Sequence, residues 1–258
     1  MNTSTSTQAT ARKRLVVKLG GSMLDELTDI FFKKIKAWHK EYDIVIVHGG
    51  GPAITEALTK ANIPTKKVGG LRVTPRSAMD VVQSTLIAHV NPSLVQRFYK
   101  NGLQAIGLNG FDSYVMQALP IDPERYGEVG NVTVVREEVL QALVDANIIP
   151  VIASIAVDEV RGVSLNVNAD EAARSVAEAM QADRLMFVTD VPGILIDEET
   201  CEKTTPEQIE EWITTGDIYG GMIPKVHAAV SCLEDGITYI DIVNEALEGT
   251  TITQKESE

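Results

Sequence analysis

The chain has 258 residues, of which 44% are hydrophobic and 23% are charged, a composition typical of a folded globular protein and not of a disordered one. Its 36 acidic residues outnumber 23 Lys and Arg, and the formal net charge of -13 argues against a surface that binds nucleic acid or an anionic membrane. Two cysteines, Cys201 and Cys232, exclude a disulfide framework and favour a reducing, cytoplasmic compartment. The longest nearly apolar run, 148–157, suits a buried strand and is too short to span a bilayer.

The N-terminus, residues 1–13, is rich in Ser and Thr and lacks the apolar stretch of a secretory signal. We expect a flexible tail there, with regular structure beginning at Leu15. A strand at 15–17 then precedes Gly20-Gly21 and a helix with apolar spacing at 25–41. A second strand at 44–47 precedes Gly49-Gly50-Gly51 and another helix, 54–61. This alternation predicts parallel strands joined by crossover helices.

The rest of the chain continues the alternation after a predicted hairpin at 66–73, whose turn is Gly69-Gly70. The further predicted elements are helices at 76–88 and 92–101, a strand at 104–108, short strands within 114–135, a helix at 137–146, a strand at 149–155, a helix at 171–180, a strand at 185–188, helices at 206–215 and 222–233, and a strand at 239–243. No linker separates two halves. The pattern predicts an α/β fold, a three-layer αβα sandwich around one continuous, mainly parallel central sheet.

Glycines cluster where predicted strands or loops enter helices: Gly20-Gly21, Gly49-Gly50-Gly51 and Gly220-Gly221. Glycine lets backbone N–H groups approach an anion, and the following helix N-terminus adds partial positive charge. One glycine pair alone is also an ordinary turn. Two such loops after the first two strands favour phosphate or carboxylate binding.

Two lysines stand next to these loops. Lys18 ends an apolar strand, where an ammonium is costly unless it meets an anion; the alternative is that its side chain simply reaches water. Lys225 lies one turn into the helix after Gly220-Gly221, where the alternative is a solvated helical lysine. Either lysine could face an anionic ligand.

Polar residues alternate in one later segment. Asn166, Asn168 and Asp170 would share one side of an extended chain, although Asp170 could instead cap the helix that follows. Arg72 follows the glycine turn of the hairpin; its planar fork suits a carboxylate, and a surface arginine is the alternative.

Taken together, these segments resemble the amino-acid kinases, and within them the acetylglutamate kinases of arginine biosynthesis. The resemblance extends from Leu15 to near the C-terminus and keeps the family's order of motifs. The matching segments are 17–22 (VKLGGS), 45–52 (VIVHGGGP), 70–74 (GLRVT), 165–170 (LNVNAD), 187–194 (FVTDVPGI) and 220–226 (GGMIPKV). The arginine hairpin and the Asn-Val-Asn-Ala-Asp segment are particular to acetylglutamate kinases.

The resemblance implies the amino-acid kinase fold and transfer of the γ-phosphate of ATP to the side-chain carboxylate of N-acetyl-L-glutamate. It implies that Lys18 and Lys225 flank the transferred group and that Asp170 holds both ammonium groups. The implied substrate-binding residues are Gly50, Gly51, Arg72 and Asn166. The implied nucleotide-binding residues are Gly20, Gly21, Asp190, Val191, Pro192, Gly193, Ile194, Leu195, Asp217, Ile218 and Tyr219.

The resemblance also implies an amino-acid-binding lobe at 14–181 and an ATP-binding lobe at 182–258. Mg²⁺ would bind through ATP, since no carboxylate cage for a metal is visible. The N-terminus lacks the long helix of hexameric, arginine-inhibited relatives, so we expect a homodimer without strong arginine feedback, in the cytoplasmic compartment that the cysteine content favours.

Two segments depart from the family pattern: Val90-Asn91-Pro92, where many relatives have Val-Asn-Lys, and Asn109-Gly110-Phe111-Asp112, where many have Ser-Gly-Lys-Asp. Both fall in the predicted amino-acid-binding half. They keep open a related kinase with another carboxylate acceptor. A catalytically silent module that senses a metabolite is the third alternative, and the presence of Lys18, Lys225 and Asp170 together argues against it.

Overall fold

The computed structural model describes residues 12–254. Residues 1–11 of the expected flexible tail lie outside this range. The first strand starts at Lys13, two residues before the expected start at Leu15. Its pairing with the second strand begins at Lys13 opposite Tyr42, and the Arg14 N–H donates to Asp183 Oδ2 at 2.7 Å, so both basic residues are part of the sheet.

The helices and strands follow each other in α/β order. The strands are β1 (Lys13–Leu19), β2 (Tyr42–His48), β3 (Lys66–Val68), β4 (Leu71–Val73), β5 (Ala105–Leu108), β6 (Met116–Pro120), β7 (Val129–Val135), β8 (Ile149–Ala153), β9 (Ile155–Asp158), β10 (Ser164–Val167), β11 (Arg184–Val188), β12 (Leu195–Ile196), β13 (Glu199–Thr200), β14 (Lys203–Thr204), β15 (Tyr239–Val243) and β16 (Gly249–Ile252). The α-helices are α1 (Asp29–Trp38), α2 (Gly51–Lys60), α3 (Arg76–Ser84), α4 (Asn91–Lys100), α5 (Pro123–Tyr126), α6 (Glu137–Asp145), α7 (Ala169–Ala179), α8 (Pro206–Thr215) and α9 (Met222–Glu234).

Eight strands form the central sheet, in the order β14-β16-β15-β11-β1-β2-β8-β5. All pairs are parallel except β15 with β16. The sheet is continuous through both halves of the chain, since β1 pairs with β2 on one side and β11 on the other. The predicted fold class and the single continuous sheet are both confirmed.

The alternation of side chains along β1 explains why helices cover both faces of the sheet. Leu15, Val17 and Leu19 pack in one core with the aromatic side chains of α1 and α4. Val16 points the other way, into a core with the alanine-rich face of α7. Because side chains alternate, Lys18 belongs to the same face as Val16 and faces α7.

A small barrel and a hairpin stand beside the central sheet. Strands β6, β7, β9 and β10 form the barrel. Strands β3 and β4 form the predicted hairpin, in which Gly69 and Gly70 adopt positive φ values of 56° and 82°. Such values at both turn positions suit a tight hairpin connection and favour glycine.

Some element predictions were wrong. The run 149–155, predicted as one strand, divides at Ser154 into β8 of the sheet and β9 of the barrel. The helices predicted at 76–88 and 92–101 are joined by a π-helical segment, Thr85–Val90. Pro92 lacks an N–H, and the wider turn before it accommodates the missing helical bond without a break. No helix within residues 12–254 is long and apolar enough to cross a membrane.

Candidate active site

Lys18 and Asp170 form an ion pair at the carboxyl end of β1. Lys18 Nζ lies 2.8 Å from Asp170 Oδ1, and only 13% of the lysine side chain is exposed. Asn168, and not Asp170, caps α7: its Oδ1 accepts from the Asp170 N–H at 2.7 Å and from the Glu171 N–H at 3.3 Å. The alternative that Asp170 is the helix cap is therefore wrong, and its carboxylate is available to hold Lys18.

Lys225, in the first turn of α9, has different partners. Its Nζ lies 3.6 Å from Asp190 Oδ1 and 3.4 Å from Thr189 Oγ1. A hydrogen bond from Thr189 and the nearby Lys225 ammonium hold the pKa of Asp190 below its usual value. The ion pairs of the site thus link Asp170 to Lys18 and Asp190 to Lys225, and Thr189, directly after β11, lines one pocket together with both lysines.

The two glycine loops after β1 and β2 touch each other. A Cβ on Gly21 would lie 2.4 Å from the Gly51 nitrogen, so glycine is required for this approach of two backbones. The Gly20 N–H donates to the Val188 carbonyl at 3.2 Å. Gly50 precedes α2, which no side chain of the described residues caps, so the first turn of α2 can donate to a ligand.

Arg72 lies on β4 of the hairpin and is buried. Its guanidinium donates to the Gly51 carbonyl at 3.0 Å, to Thr55 Oγ1 at 2.7 Å and also to Thr65 Oγ1. Burial lowers the pKa of Arg72 from its ordinary value. The alternative of a surface arginine is wrong, because the side chain ties the hairpin to the second glycine loop.

Asn166, at the end region of β10, is connected to Arg72 through Thr74. Asn166 Nδ2 donates to Thr74 Oγ1 at 3.1 Å, and Thr74 Oγ1 donates to the Arg72 carbonyl at 2.8 Å. Asn166 is 9% exposed, so this chain of hydrogen bonds is shielded from solvent. It holds the hairpin to the barrel as well as to α2.

Lys67 is a site residue that our sequence reasoning missed. It pairs directly with Arg72 across the hairpin, so the two cationic side chains share one face. Like charges in this position repel each other unless an anion lies nearby. Counting outward from the Gly69-Gly70 turn would have placed Lys67 opposite Arg72.

Three cavities meet at Lys18. The hairpin cavity, of about 260 Å³, is lined by Lys18, Gly50, Gly51, Lys67, Arg72, Asn166 and Asp170 among others. The open cleft, of about 850 Å³, is lined by Lys18, Gly20, Gly21, Pro52, Lys67 and Thr189 among others. The lysine pocket, of about 240 Å³, is lined by Lys18, Asp170, Phe187, Thr189, Pro224, Lys225, Ala228 and Ile242. A ligand in the hairpin cavity and another in the cleft or lysine pocket would therefore approach each other at the Lys18 ammonium.

Of the predicted nucleotide-binding residues, Gly20 and Gly21 line the open cleft, whereas the two C-terminal loops, 190–195 and 217–219, line none of these three cavities. Most residues of the two C-terminal loops are exposed: Asp190, Pro192, Leu195, Asp217 and Tyr219. Val191 is half-buried. Ile194 and Ile218 have buried side chains in the core. Gly193 adopts a φ of 112° against Thr250, so the loop bends there tightly.

The two departures from the family pattern do not line the hairpin cavity. Asn91 is buried below the second glycine loop. Asn109 and Asp112 close their own turn through hydrogen bonds of 2.8 and 2.6 Å, and Phe111 is partly exposed. Neither departure therefore alters a wall of that cavity directly.

Comparison with known proteins agrees with this geometry. Residues 13–244 match the amino acid kinase family model. The chain is 43% identical to an acetylglutamate kinase of Bacillus mycoides (strain KBAB4), over 93% of this chain and 96% of the relative. It is also 43% identical to an acetylglutamate kinase of Geobacillus kaustophilus (strain HTA426), over 94% and 97%.

Solved structures share the fold. A protein of Streptococcus mutans UA159 superimposes with a TM-score of 0.83 at 35% identity, over 94% of this chain and 99% of that one. A carbamate kinase from Giardia lamblia, solved with AMP-PNP, superimposes with a TM-score of 0.67 at 20% identity, over 95% and 99%, a similarity of fold alone. The chain therefore belongs to the amino acid kinase family, and within that family to the acetylglutamate kinases.

Proposed function

We propose that this kinase transfers the γ-phosphate of ATP to the side-chain carboxylate of N-acetyl-L-glutamate, a step of arginine biosynthesis, at the Lys18 ammonium. The observation that carries this proposal is the meeting of the hairpin cavity and the lysine pocket at Lys18 and its ion-pair partner Asp170. A cationic group shared by two ligand cavities suits a reaction in which two anions are brought together. The identity to acetylglutamate kinases supports the choice of acceptor.

The acceptor would occupy the hairpin cavity. We assign its α-carboxylate to Arg72, whose guanidinium is already fixed by Gly51 and Thr55 and has further N–H groups to offer. Asn166 and the N–H groups of Gly50 and Gly51 would bind the remaining polar groups. The hairpin that carries Arg72 would cover the amino acid.

The chemical step requires no general base. A glutamate side-chain carboxylate has a pKa of about 4.3 and is already ionised at neutral pH. The barrier arises from repulsion between carboxylate and phosphate and from charge that develops on the phosphoryl oxygens. Lys18 and Lys225 would flank the transferred group and stabilise that charge, while Asp170 fixes Lys18.

ATP would bind against the C-terminal loops, and Gly20 and Gly21 would lie towards its phosphates. The residues around the nucleoside would be Asp190, Val191, Pro192, Gly193, Ile194, Leu195, Asp217, Ile218 and Tyr219. The buried side chains of Ile194 and Ile218 restrict these two residues to backbone contacts. We assign the phosphate contact of the first loop to the Gly21 N–H, because the Gly20 N–H already bonds to Val188.

Mg²⁺ fits this site as a companion of ATP. Within residues 12–254, no group of three or more His, Cys, Asp or Glu side chains could hold a metal ion. Asp170 and Asp190 are each paired with a lysine. Mg²⁺ would therefore be held by the ATP phosphates rather than by a set of protein side chains, and it would neutralise charge on the phosphate oxygens.

The decisive experiment measures ADP formation with MgATP and N-acetyl-L-glutamate, with hydroxylamine present to trap the acyl phosphate. Glutamate, aspartate and N-acetyl-2-aminoadipate serve as competing acceptors, and Lys18→Ala as the inactive control. We expect turnover with N-acetyl-L-glutamate alone. Preference for another acceptor would contradict the assigned substrate, and absence of turnover in folded, ATP-binding protein would favour the sensing module.

The homodimer and the cytoplasmic location are further proposals. Exposed apolar side chains occur at the open edge of the sheet, on Ile106 of β5 and on Tyr99 of the adjoining α4. Such side chains suit a subunit contact. A mass measurement in solution should give a dimer; a monomer or a hexamer would contradict it.

A further inference from the structure

A buried polar pair lies directly beneath the second glycine loop. His48 is the last residue of β2 and is 0% exposed, and Asn91, at the start of α4, is 6% exposed. His48 Nδ1 lies 2.8 Å from the Gly49 carbonyl oxygen, and His48 Nε2 lies 2.9 Å from Asn91 Nδ2. Neither side chain lines the hairpin cavity.

The hydrogen bonds leave one arrangement of protons. Asn91 Nδ2 also lies 2.8 Å from the Val151 carbonyl, which can only accept, so the amide nitrogen must face both neighbours as a donor. His48 Nε2 is then an acceptor, and Nδ1 carries the proton and donates to the Gly49 carbonyl. Burial lowers the pKa of His48 to about 4, which agrees with a neutral ring.

The sheet provides space for this amide at Gly107. A Cβ on Gly107 would lie 1.9 Å from Asn91 Oδ1, so any other residue there would displace the Asn91 side chain. Gly107 pairs with Val151 across β5 and β8. The sheet therefore holds the amide nitrogen of Asn91 through the Val151 carbonyl and leaves room for its amide oxygen at Gly107.

The contact with Gly49 controls a group of the proposed acceptor site. The Gly49 carbonyl and the Gly50 N–H belong to one planar peptide unit, and the described chain has no cis peptide. In a trans unit the C=O and N–H bonds point in opposite directions, so holding the carbonyl sets the direction of the N–H. The Gly49 N–H is itself fixed by the Leu19 carbonyl at 3.2 Å.

We propose that His48 and Asn91 are positioning residues that orient the Gly50 N–H toward the acceptor and so determine the affinity for N-acetyl-L-glutamate, without acting on ATP. The proposal rests on the assignment of Gly50 to acceptor binding. It gives Asn91, one of the residues in a segment that departs from the family pattern, a role beneath the site, and gives Gly107 the role of making room for it.

The test compares four single variants and one double variant of the full chain. Gly107→Ala displaces Asn91 without changing His48, and Asn91→Ala removes the amide, so the double variant should be no worse than Asn91→Ala alone because the clash disappears. His48→Asn keeps an N–H donor near the position of Nδ1, whereas His48→Leu removes it. Titration calorimetry gives Kd for N-acetyl-L-glutamate and for MgADP, and steady-state kinetics give both KM values.

We expect His48→Leu and Gly107→Ala to weaken binding of N-acetyl-L-glutamate by about 10-fold or more. The upper limit is about 100-fold, the effect of displacing a binding group by about 1 Å. The Kd for MgADP should change less than about 2-fold, and His48→Asn should recover most of the loss, as rescue of a positioned donor requires. Arg72→Ala, run in parallel, tests the acceptor site itself.

Three results would overturn the proposal: equal loss for both ligands, equal behaviour of His48→Asn and His48→Leu, or unchanged acceptor affinity in Gly107→Ala. If His48→Leu does not fold, the Gly107→Ala and Asn91→Ala cycle still decides the matter. If Arg72→Ala keeps wild-type affinity for the acceptor, the assignment of the hairpin cavity fails, which is a different outcome from failure of the His48 proposal.

Discussion

The two sides of the site differ in how firmly the chain holds them. On the side that we assign to the acceptor (the acceptor side), Arg72 and Asn166 are buried and joined to neighbouring elements by hydrogen bonds of 2.7–3.1 Å. On the side that we assign to ATP (the nucleotide side), the Lys225 and Asp190 side chains are 42% and 68% exposed, and Lys225 Nζ lies 3.6 Å from Asp190 Oδ1. The side chains of the acceptor side are therefore fixed by the protein, whereas those of the nucleotide side have few contacts that hold them in place.

This difference indicates where binding energy is used. Buried, mutually bonded groups lose little freedom when a ligand arrives, so the acceptor side is preorganised. An exposed ion pair contributes only about 0.2–1 kcal/mol and is easily exchanged for another partner. We infer that ATP completes the nucleotide side, with phosphate oxygens replacing Asp190 as the partner of Lys225.

The largest effect should come from Lys18, which belongs to both sides. Lys18→Ala should lower kcat by about 10²–10³-fold, or ~3–4 kcal/mol of barrier, the scale for loss of one fixed donor to developing charge. The hydroxylamine assay measures this loss. Lys225→Ala should have an effect of the same order, and the double variant should fall short of the sum if the two lysines act as one clamp.

A matched control for Lys18→Ala is Lys33→Ala, since Lys33 is an exposed lysine on α1. This variant should keep the kcat of the unmodified protein. A reduction of kcat in Lys33→Ala comparable to that in Lys18→Ala would mean that the loss reflects general charge rather than position.

The second prediction concerns pH and the rigidity of the acceptor side. The pKa of His48 is lowered to about 4 by burial, from an ordinary value of 6.5. The unfolded chain therefore binds the proton more readily between these values, and stability falls as pH decreases. This one histidine should lower the free energy of unfolding by about 2 kcal/mol from pH 7 to pH 5 and by about 3 kcal/mol at pH 4.

Urea unfolding at each pH measures this change in the free energy of unfolding, and the His48→Asn variant isolates the part that is due to His48. Burial also lowers the pKa of His39, which contributes in the same direction. The difference in free energy of unfolding between the unmodified protein and His48→Asn should therefore decrease as pH decreases, by the amount that protonation of His48 contributes. A constant difference from pH 7 to pH 4.5 would show that His48 is not buried in its neutral form.

The third prediction tests whether the planar guanidinium group of Arg72 is required for acceptor binding. Arg72→Lys keeps the charge but loses the planar set of donors that bonds to Thr55, Thr65 and the Gly51 carbonyl. We expect KM for N-acetyl-L-glutamate to rise by about 10–100-fold, the equivalent of one or more charged hydrogen bonds, with KM for ATP unchanged. Arg76→Lys, at an exposed arginine nearby, is the control. An equal rise in both KM values would contradict the division of the site into two sides.

The sequence predicts the arrangement of Lys18 and the glycine loops better than the contacts of Lys225 and Asp190. Period-two alternation is enough to place Lys18 on the same face of its strand as Val16, and glycine spacing is enough to bring the loops of Gly21 and Gly51 to one edge of the sheet. These are local patterns repeated along strands and turns. The fold class follows from the same patterns.

What escaped prediction depends on packing between distant segments. The division of 149–155 falls at Ser154, and one serine does not by itself mark a strand end, because the apolar run on either side of it is buried in either sheet. The partner of Lys225 could not be predicted from spacing, since Asp190 follows a predicted strand, Asp170 precedes a predicted helix, and neither position fixes a distance to Lys225. Strand β16, which was not predicted, lies between β14 and β15 and is antiparallel to β15 in an otherwise parallel sheet.

The smallest effect should come from Asp190, and it tests whether the nucleotide side is as loosely held as its contacts indicate. Asp190→Asn removes the charged partner of Lys225 while keeping the size of the side chain. We expect KM for ATP to change by less than about 5-fold, the equivalent of an exposed ion pair, and acceptor affinity to stay the same. Asp197→Asn, at another exposed acid, is the matched control. A loss of kcat as large as that of Lys225→Ala would show instead that Asp190 holds the lysine during transfer, and the nucleotide side would then be preorganised in the same manner as the acceptor side.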